Sequence, residues 1–330
     1  MLQTLLTPIS KAPLSERQRL DRLLLSQEAV IRNAFAVFLS QARSPAVLRQ
    51  ARLLLEARNI EGVLQLIDSY VIRLGSVVTT VFQDSGIKET EAAISQLGIG
   101  TAGIAITFDV TNPRASAIMR RSRLKFIRDF TRSQRDSTRQ ALVTALREGF
   151  SPIKTARVFR DSIGLTEYQR NAVNNYRRLL EENSREALTR DLRDRRSDRS
   201  IERALELGEP LSAAQINRMV SRYHQNFLQL RAETIARTES LGAVGLARQE
   251  SLEQVLEQAQ IPPDKVTRIW GTNLDGRERA THHAMNGQRR GLRVPFQSPS
   301  GARLMYPGDN TAPAEEIINC RCVVTHHIDR

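Results

Sequence analysis

The chain has 330 residues, which suits two domains or one domain with a long helical extension. Hydrophobic residues make up 40% of the chain and aromatic residues only 5%, a balance that favours packed Leu, Ala and Ile helices over a β-sandwich. Lysine and arginine number 49 against 36 acidic residues, and the charge of +13 indicates a nucleic acid or an acidic protein surface as partner.

The few cysteines and the apolar runs exclude two further classes of protein. The two cysteines stand in one Cys-x-Cys pair, which cannot form the disulfide framework of a secreted domain. The N-terminus lacks a basic segment followed by an apolar one, so we expect no signal peptide. The most apolar run, 97–110, is too short and too rich in glycine to span a bilayer. We therefore expect a protein of the reducing cytoplasm with no membrane partner.

Most of the chain is predicted to be helical, because apolar residues recur at helical spacing. The third helix is predicted to run from Asn59 through Leu74, and a fourth over 77–82. A glycine-rich segment, 98–103, then breaks the pattern, and 104–110 is predicted to be a short strand or a turn. Helix starts are predicted where Ser, Thr or Asn precedes such a pattern. These N-caps are Ser15, Ser44, Asn59, Asn112, Ser151, Thr166 and Ser212.

The helix that follows Asn112 has an unusual charge. Nine basic residues and two acidic ones lie between Arg114 and Arg139, and six of the basic residues alternate spacings of four and three, which places them on one face. This face contacts either DNA phosphates or an acidic partner, or it is a solvated face partly paired with acids of a neighbouring helix. We call these six the basic stripe: Arg121, Lys125, Arg128, Arg132, Arg135 and Arg139.

A second charged stretch, 185–203, has seven arginines against five acidic residues in close alternation. Internal salt bridges or a solvated helix explain it better than an anion-binding surface. The last helical run starts at Ser212, and helical signals stop near Pro262. The chain is thus predicted to be mainly α, with a long multi-helix region (1–260) followed by a small α+β closing domain (261–330).

The closing domain changes to short elements and turn residues. Asp275-Gly276 is a strong turn signal, and Asn286-Gly287 is a typical helix end. The lone Trp270 is expected to anchor the core of this domain. The predicted elements are a strand (265–270), a helix (278–285), two hairpin strands (294–296 and 302–306) and a terminal strand (320–325).

An ordered series of motifs resembles the Mu F-like family, the minor head or head morphogenesis proteins of tailed bacteriophages. The resemblance covers roughly the last hundred residues, beginning in the helix near residue 235. One departure is the doubled His282-His283, and we carry the family histidine over to His282. The residues of the family motif are Arg237, Glu239, Trp270, Asp275, Arg277, Arg279, His282, Gly287, Pro307, Asp309, Asn319, Cys320 and Cys322.

The resemblance implies a structural protein present in few copies inside the phage head, near the portal. It implies action in procapsid assembly and in DNA packaging or ejection, after synthesis in the host cytoplasm. The implied partners are the portal protein, an inner capsid or scaffold protein, and double-stranded DNA. The basic and helix-rich composition agrees independently with a protein that is packed beside a genome.

The closing domain carries one candidate metal site. In a strand, residues two apart point to the same side, so Cys320 and Cys322 would present both thiols together. With an imidazole of His282, His283, His326 or His327 they could hold zinc. The alternative is two partly buried thiols on a core-edge strand after a turn set by Asn319. We expect no resident cofactor, with zinc as the open alternative.

A second open alternative is an enzyme, either a nuclease or a toxin-like transferase. It would use Asp275, Arg277, Arg279 and one of the paired histidines, with histidine as general base and arginine holding a phosphate. Otherwise Asp275 forms an Asx-turn, and the arginines pair with Glu278 or with the acids at 315–316. The sequence has no glycine-rich phosphate loop and no cluster of carboxylates, so we expect no catalytic activity.

Overall fold

The structure, a computed structural model, describes residues 14–98 and 106–329. It confirms a mainly α fold with a small α+β C-terminal region. The strands within the described ranges are β1 (Val266–Gly271), β2 (Arg289–Gly291), β3 (Phe296–Gln297), β4 (Arg303–Leu304) and β5 (Val323–Ile328). The helices there are α1 (Glu16–Ala42), α2 (Pro45–Glu56), α3 (Ile60–Gln65), α4 (Asp68–Leu97), α5 (Pro113–Arg147), α6 (Pro152–Ser162), α7 (Glu167–Glu181), α8 (Asp198–Leu207), α9 (Ala213–Gln258), α10 (Ala280–Met285) and α11 (Ala314–Ile317).

All seven predicted N-caps are confirmed. In each, the side-chain oxygen accepts a hydrogen bond from a backbone N–H in the first turn of the helix. Ser15, Thr166 and Ser212 also receive the reciprocal contact from a glutamine three residues on, which completes a capping box. These helix starts depend on residues close in sequence, and local residue types therefore predict them.

The prediction for the third helix is wrong. It does not run through Leu74, because α3 ends at Gln65 and α4 starts at Asp68. The break lets α3 pack on α2 and α5 while α4 lies along α9, and the predicted fourth stretch is part of α4.

The segment 104–110, predicted to be a short strand or a turn, has its first two residues outside the described ranges. The rest forms no strand, because the backbone of Asp109 hydrogen-bonds to the Gln254 side chain of α9. Its last residue, Val110, lies in a turn, which is the second of the two alternatives.

The charged stretch 185–203 is partly paired within itself and partly solvated, as predicted. It forms two short 3-10 turns and the start of α8. Arg193 makes a two-pronged ion pair with Asp198 at 2.9 Å, and Arg196 pairs with Asp194 at 2.7 Å. Other arginines of the stretch, such as Arg199, are exposed to solvent.

Helix α9 is the element that connects the separate apolar cores of the fold. Its 46 residues span about 70 Å, long enough to take part in several separate apolar cores. Its first half packs on α7 and α8, and its middle packs on α1, α4 and α5. Its last turns pack on the end of α4 and on Val266 and Leu292 of the closing domain. The closing domain is therefore built directly onto this helix.

Helix α1 is, within the described ranges, the one helix that is long and apolar enough to cross a membrane. One side of it contributes Leu23, Ile31, Phe35 and Phe38 to the core shared with α4, α5 and α9. Core helices of soluble proteins have the same length and composition, so this finding does not argue for a membrane span.

The closing domain holds an antiparallel sheet in the order β2-β1-β5 and a separate β3-β4 hairpin. The hairpin overlaps the two predicted segments, with β3 extending one residue beyond the first of them, whereas β2 was not predicted. Trp270 on the central strand is fully buried and packs edge-on against Phe296, with ring centroids 5.2 Å apart. Its predicted role as the core anchor of the domain is confirmed.

Candidate functional site

A buried cluster of one histidine and two cysteines lies at the centre of the closing domain. The Nδ1 atom of His282 is 3.5 Å from the Sγ of Cys320 and 3.4 Å from the Sγ of Cys322. The three donor atoms all lie within 4.8 Å of one another. The three residues are 1–3% exposed. The structure therefore brings together three of the six predicted candidate ligands, while His326 lies beside Glu16 of α1 and His327 beside Asp329.

Another candidate, His283, points away from the cluster. Its side chain is 64% exposed and its Nδ1 lies 3.2 Å from a carboxylate oxygen of Glu278. Successive residues of the short helix α10 face different directions, so only His282 reaches the cysteines. Of the two adjacent histidines, His282 is therefore buried and His283 lies on the surface.

The cysteines meet His282 for a reason other than the predicted one. The terminal strand was predicted to include them, but β5 starts only at Val323. They lie instead on the turn after α11, where Asn319 adopts a left-handed backbone conformation and the Cys320 N–H donates to the carbonyl of Ile317. The predicted strand was wrong, while the predicted pairing of the thiols and the turn at Asn319 are present.

Glu316 fixes the orientation of the histidine ring. Its carboxylate lies 2.7 Å from the Nε2 of His282, and it also accepts hydrogen bonds from the hydroxyls of Ser298 and Ser300. Burial alone would raise the pKa of Glu316, but the bonds from Ser300, Ser298 and His282 bring that pKa below its ordinary value. A charged Glu316 accepts a hydrogen bond from the Nε2–H of His282, and the Nδ1 atom of the ring then faces the two sulfurs.

The two thiols differ in acidity. The pKa of Cys322 is lowered to about 5, chiefly because the Cys320 thiol hydrogen-bonds to it and also because His282 lies beside it. The same hydrogen bond and burial raise the pKa of Cys320 well above its ordinary value. Cys322 is therefore the more acidic of the two thiols.

The residues proposed for the enzyme alternative make structural contacts. Asp275 accepts a hydrogen bond from the Arg277 N–H, which is the predicted Asx-turn, and forms a two-pronged ion pair with Arg321. The hydrogen bond from Arg321 is the main reason that the pKa of Asp275 is lowered to about 2. Arg279 donates to the carbonyl of Ile318 rather than to an acid, so the predicted pairing of the arginines with Glu278 or residues 315–316 is wrong.

The upstream part of the motif lies on α9 and contacts the cysteine turn. The hydroxyl of Thr238 accepts from the Asn319 N–H at 3.1 Å, and Arg237 lies 3.8 Å from Glu28 of α1. Glu239 lines a cleft of about 480 Å³ beside Lys125, and burial raises its pKa to about 7. These contacts explain why a motif of the closing domain starts on the preceding helix.

The turn that holds the motif residues Pro307 and Asp309 packs closely against α9. The backbone of Gly308 passes so close to Gly242 that a Cβ added at Gly242 would lie 2.8 Å from the Gly308 carbonyl oxygen. Gly308 itself has a φ of +80°, which disfavours any side chain there. Asp309 holds this turn by accepting from the backbone N–H groups of Met305 and Thr311. Pro307 and Gly287 lie in turns at the edges of the same domain.

The basic stripe lies along α5 with its apolar side, including Phe126 and Phe130, in the core. Part of it is paired: Arg135 forms ion pairs with Asp68 and Glu61, at 2.5 and 2.6 Å. The remaining stripe residues are Arg139, paired with Glu61; Lys125 and Arg128, paired with Asp129; and Arg121 and Arg132, which have no ion pair within the described ranges.

Comparison with known proteins adds one decisive observation. The family model described as "Phage Mu protein F like protein" matches residues 136–325, which is more than half of the chain. The chain belongs to this family. Neither the curated proteins nor the solved structures gave a match.

Membership identifies this Mu F-like protein as a phage head morphogenesis protein and so as a virion component, in a family that is typically structural. The match also starts about a hundred residues before the motif at 235 and covers α6 to α9. Of the basic stripe only Arg139 falls inside it. Five of the six stripe residues thus lie outside the matched segment.

Sequence reasoning missed Glu316 as the ring-orienting residue of the Mu F-like cluster. It stands four residues before Cys320, and it was considered only as a partner of the arginines. A carboxylate close in sequence to two potential metal ligands is a weak but usable signal, because ligating histidines usually donate their second nitrogen to such a group.

Proposed function

We propose that this Mu F-like protein is a minor head protein that acts inside the phage head at the portal vertex. It takes part in procapsid assembly and in DNA packaging or ejection, and it is made in the host cytoplasm before assembly. The family match supports the head assignment. The charge of +13 supports a location beside packaged DNA. Its partners on this proposal are the portal protein, an inner capsid or scaffold protein, and double-stranded DNA.

Purified particles of a tailed phage that encodes this chain would test the location. We expect the protein in DNA-filled heads at a copy number far below that of the major capsid protein, and antibody labelling of opened heads at a single vertex. Quantitative mass spectrometry, with the portal protein of the same particles as internal reference, measures the copy number. Absence from both procapsids and filled heads would contradict the proposal.

We propose that the basic stripe contacts DNA, because several of its arginines are exposed on one face of α5. Arg121, Arg128 and Arg132 have exposed side chains on one face of α5, whereas Arg135 is held by Asp68 and Glu61. Arg121 and Arg132 have no ion pair within the described ranges, and Arg128 pairs only at the surface with Asp129, so all three can reach phosphates. Each phosphate contact adds about 0.9 to the slope of log K against log salt. Arg135 is a poor test residue, because changing it would also disturb the packing of α3 and α4 on α5.

The expected result is that the triple variant Arg121→Glu, Arg128→Glu, Arg132→Glu binds duplex DNA more weakly and with a salt slope reduced by about 3. The matched control is Arg185→Glu, Arg199→Glu, Arg203→Glu, which makes the same charge change at exposed arginines outside the stripe. We expect its slope to change by less than about 1. Equal losses in both variants would mean that net charge alone attracts the DNA and that the stripe has another purpose.

A further inference from the structure

The distances within the buried cluster match those of a metal site. Zinc binds thiolate sulfur at about 2.3 Å and imidazole nitrogen at about 2.0 Å, so a tetrahedral site places nitrogen about 3.5 Å from each sulfur. The Nδ1 of His282 lies 3.5 and 3.4 Å from the sulfurs of Cys320 and Cys322. Three donors from two distant segments thus lie close enough to share one ion, all within 4.8 Å of one another.

The donor atoms converge where solvent does not reach them. Two sulfurs lie at hydrogen-bond distance from the single Nδ1 atom of His282, and both are buried away from water. A cation placed between the three atoms would satisfy all of them at once.

We propose that His282, Cys320 and Cys322 bind one zinc ion. Two thiolates and an imidazole are soft and borderline donors, which suit zinc and disfavour magnesium or calcium. Glu316 completes the arrangement that metal-bound histidines commonly have, in which the second ring nitrogen donates to a carboxylate. The three protein ligands leave the fourth position for a water molecule.

The site is structural and takes no part in substrate chemistry. A cysteine, a histidine and a glutamate in a row also resemble a nucleophile with its base and its orienting acid. However, Cys320 and Cys322 are only 2% and 3% exposed, so a substrate could not reach either sulfur. The ion instead joins α10 to the turn after α11, in a domain whose sheet has only three short strands. Small domains commonly depend on such a metal link for stability.

The metal content of the full-length protein tests this proposal. The protein is purified under reducing conditions without chelator, dialysed with a small excess of Zn²⁺ and then against buffer, and analysed by mass spectrometry of the elements. We expect one zinc per chain in the wild type. We expect less than about a tenth of that in His282→Asn and in Cys320→Ser, because losing one of three ligands leaves too few for tight binding.

The matched control is His283→Asn, which changes the neighbouring surface histidine and should keep the full zinc content. Cobalt offers a second measurement, since Co²⁺ bound to thiolates gives a charge-transfer band that the His282→Asn variant should lack. A chelator should also lower the unfolding temperature of the wild type and leave that of His282→Asn unchanged.

Three results would overturn the proposal. The first is a wild-type protein that holds no stoichiometric zinc after loading, and this result counts even where a variant fails to fold. The second is an equal loss of zinc in the His282 and His283 variants. The third is a Cys320–Cys322 disulfide in protein that was kept under reducing conditions. None of these results bears on the head assignment, because the zinc site does not rest on it.

Discussion

Replacing Arg268 with methionine is expected to lower the free energy of unfolding by about 2–4 kcal/mol, one of the two largest effects for this chain. Arg268 on β1 is 1% exposed and lies over the ring of Phe296, 5.0 Å from the centroid. Its guanidinium donates to the carbonyls of Gly291 and Val294, to that of Met305, and to the side chain of Gln249 on α9. Methionine fills a similar volume but takes this donor away from the partly buried acceptors, of which the Gly291 carbonyl keeps its bond from the Val294 N–H.

The stability that Arg268 provides depends on the geometry of its guanidinium as well as on its charge. Burial lowers the pKa of Arg268 to about 10, so the group stays charged at neutral pH. Lysine would keep a charge, but a single ammonium cannot reach acceptors on three sides. We therefore expect Arg268→Lys to be nearly as unstable as Arg268→Met.

Urea unfolding followed by the fluorescence of Trp270, the only tryptophan, measures the effect. The control is Arg303→Met on β4, an exposed arginine that should change the stability by less than about 0.5 kcal/mol. A loss below about 1 kcal/mol in Arg268→Met would show that the buried guanidinium adds little to the stability of the domain.

The contrast between Ser15 and Arg268 shows which parts of this fold the sequence could predict. A cap such as Ser15 acts on backbone groups three residues away, so residue types alone located all seven helix starts. Arg268 acts on residues that are 19 to 37 positions distant, and no local pattern indicates which carbonyls it will meet. The family motif could be recognised from its order along the chain, but the contacts that make it one unit lie across α9 and the closing domain.

The candidate metal site also depends on features that no local sequence pattern predicts. Alternation in a strand predicted that Cys320 and Cys322 present their thiols together; they do so, but on a turn that precedes the strand. What decided the geometry was the left-handed turn at Asn319, which aims both thiols at His282. The choice between His282 and His283 depended on which face of α10 is buried, and a helix of six residues has too few positions to show that face in its sequence.

Replacing Glu89 with methionine should have an effect of similar size, and it would act on the closing domain from outside it. Glu89 on α4 is buried, with its side chain 2% exposed, and pairs with Arg19 of α1 and Arg248 of α9. Arg248 also contacts Glu16 and the carbonyl of Val324 on β5. Removing the carboxylate leaves the charge of Arg248 buried with one partner fewer, which costs about 3–5 kcal/mol.

A double variant separates charge from packing. Glu89→Met together with Arg248→Met removes both buried charges, so we expect a smaller loss than the sum of the two single variants. The control is Glu91→Met, an exposed glutamate two residues along α4, which should be nearly neutral. Additive losses in the double variant would contradict a coupled ion network.

The choice of probe makes this experiment informative about the architecture. Far-UV circular dichroism reports mainly the helices, while Trp270 reports the core of the closing domain. Because the network joins α1, α4 and α9 to β5, Glu89→Met should lower the unfolding midpoint of both signals together. A midpoint that falls for the helices while that of Trp270 stays unchanged would mean that the closing domain holds together without α4, and that the contacts of Arg248 with Glu16 and Val324 suffice to attach it.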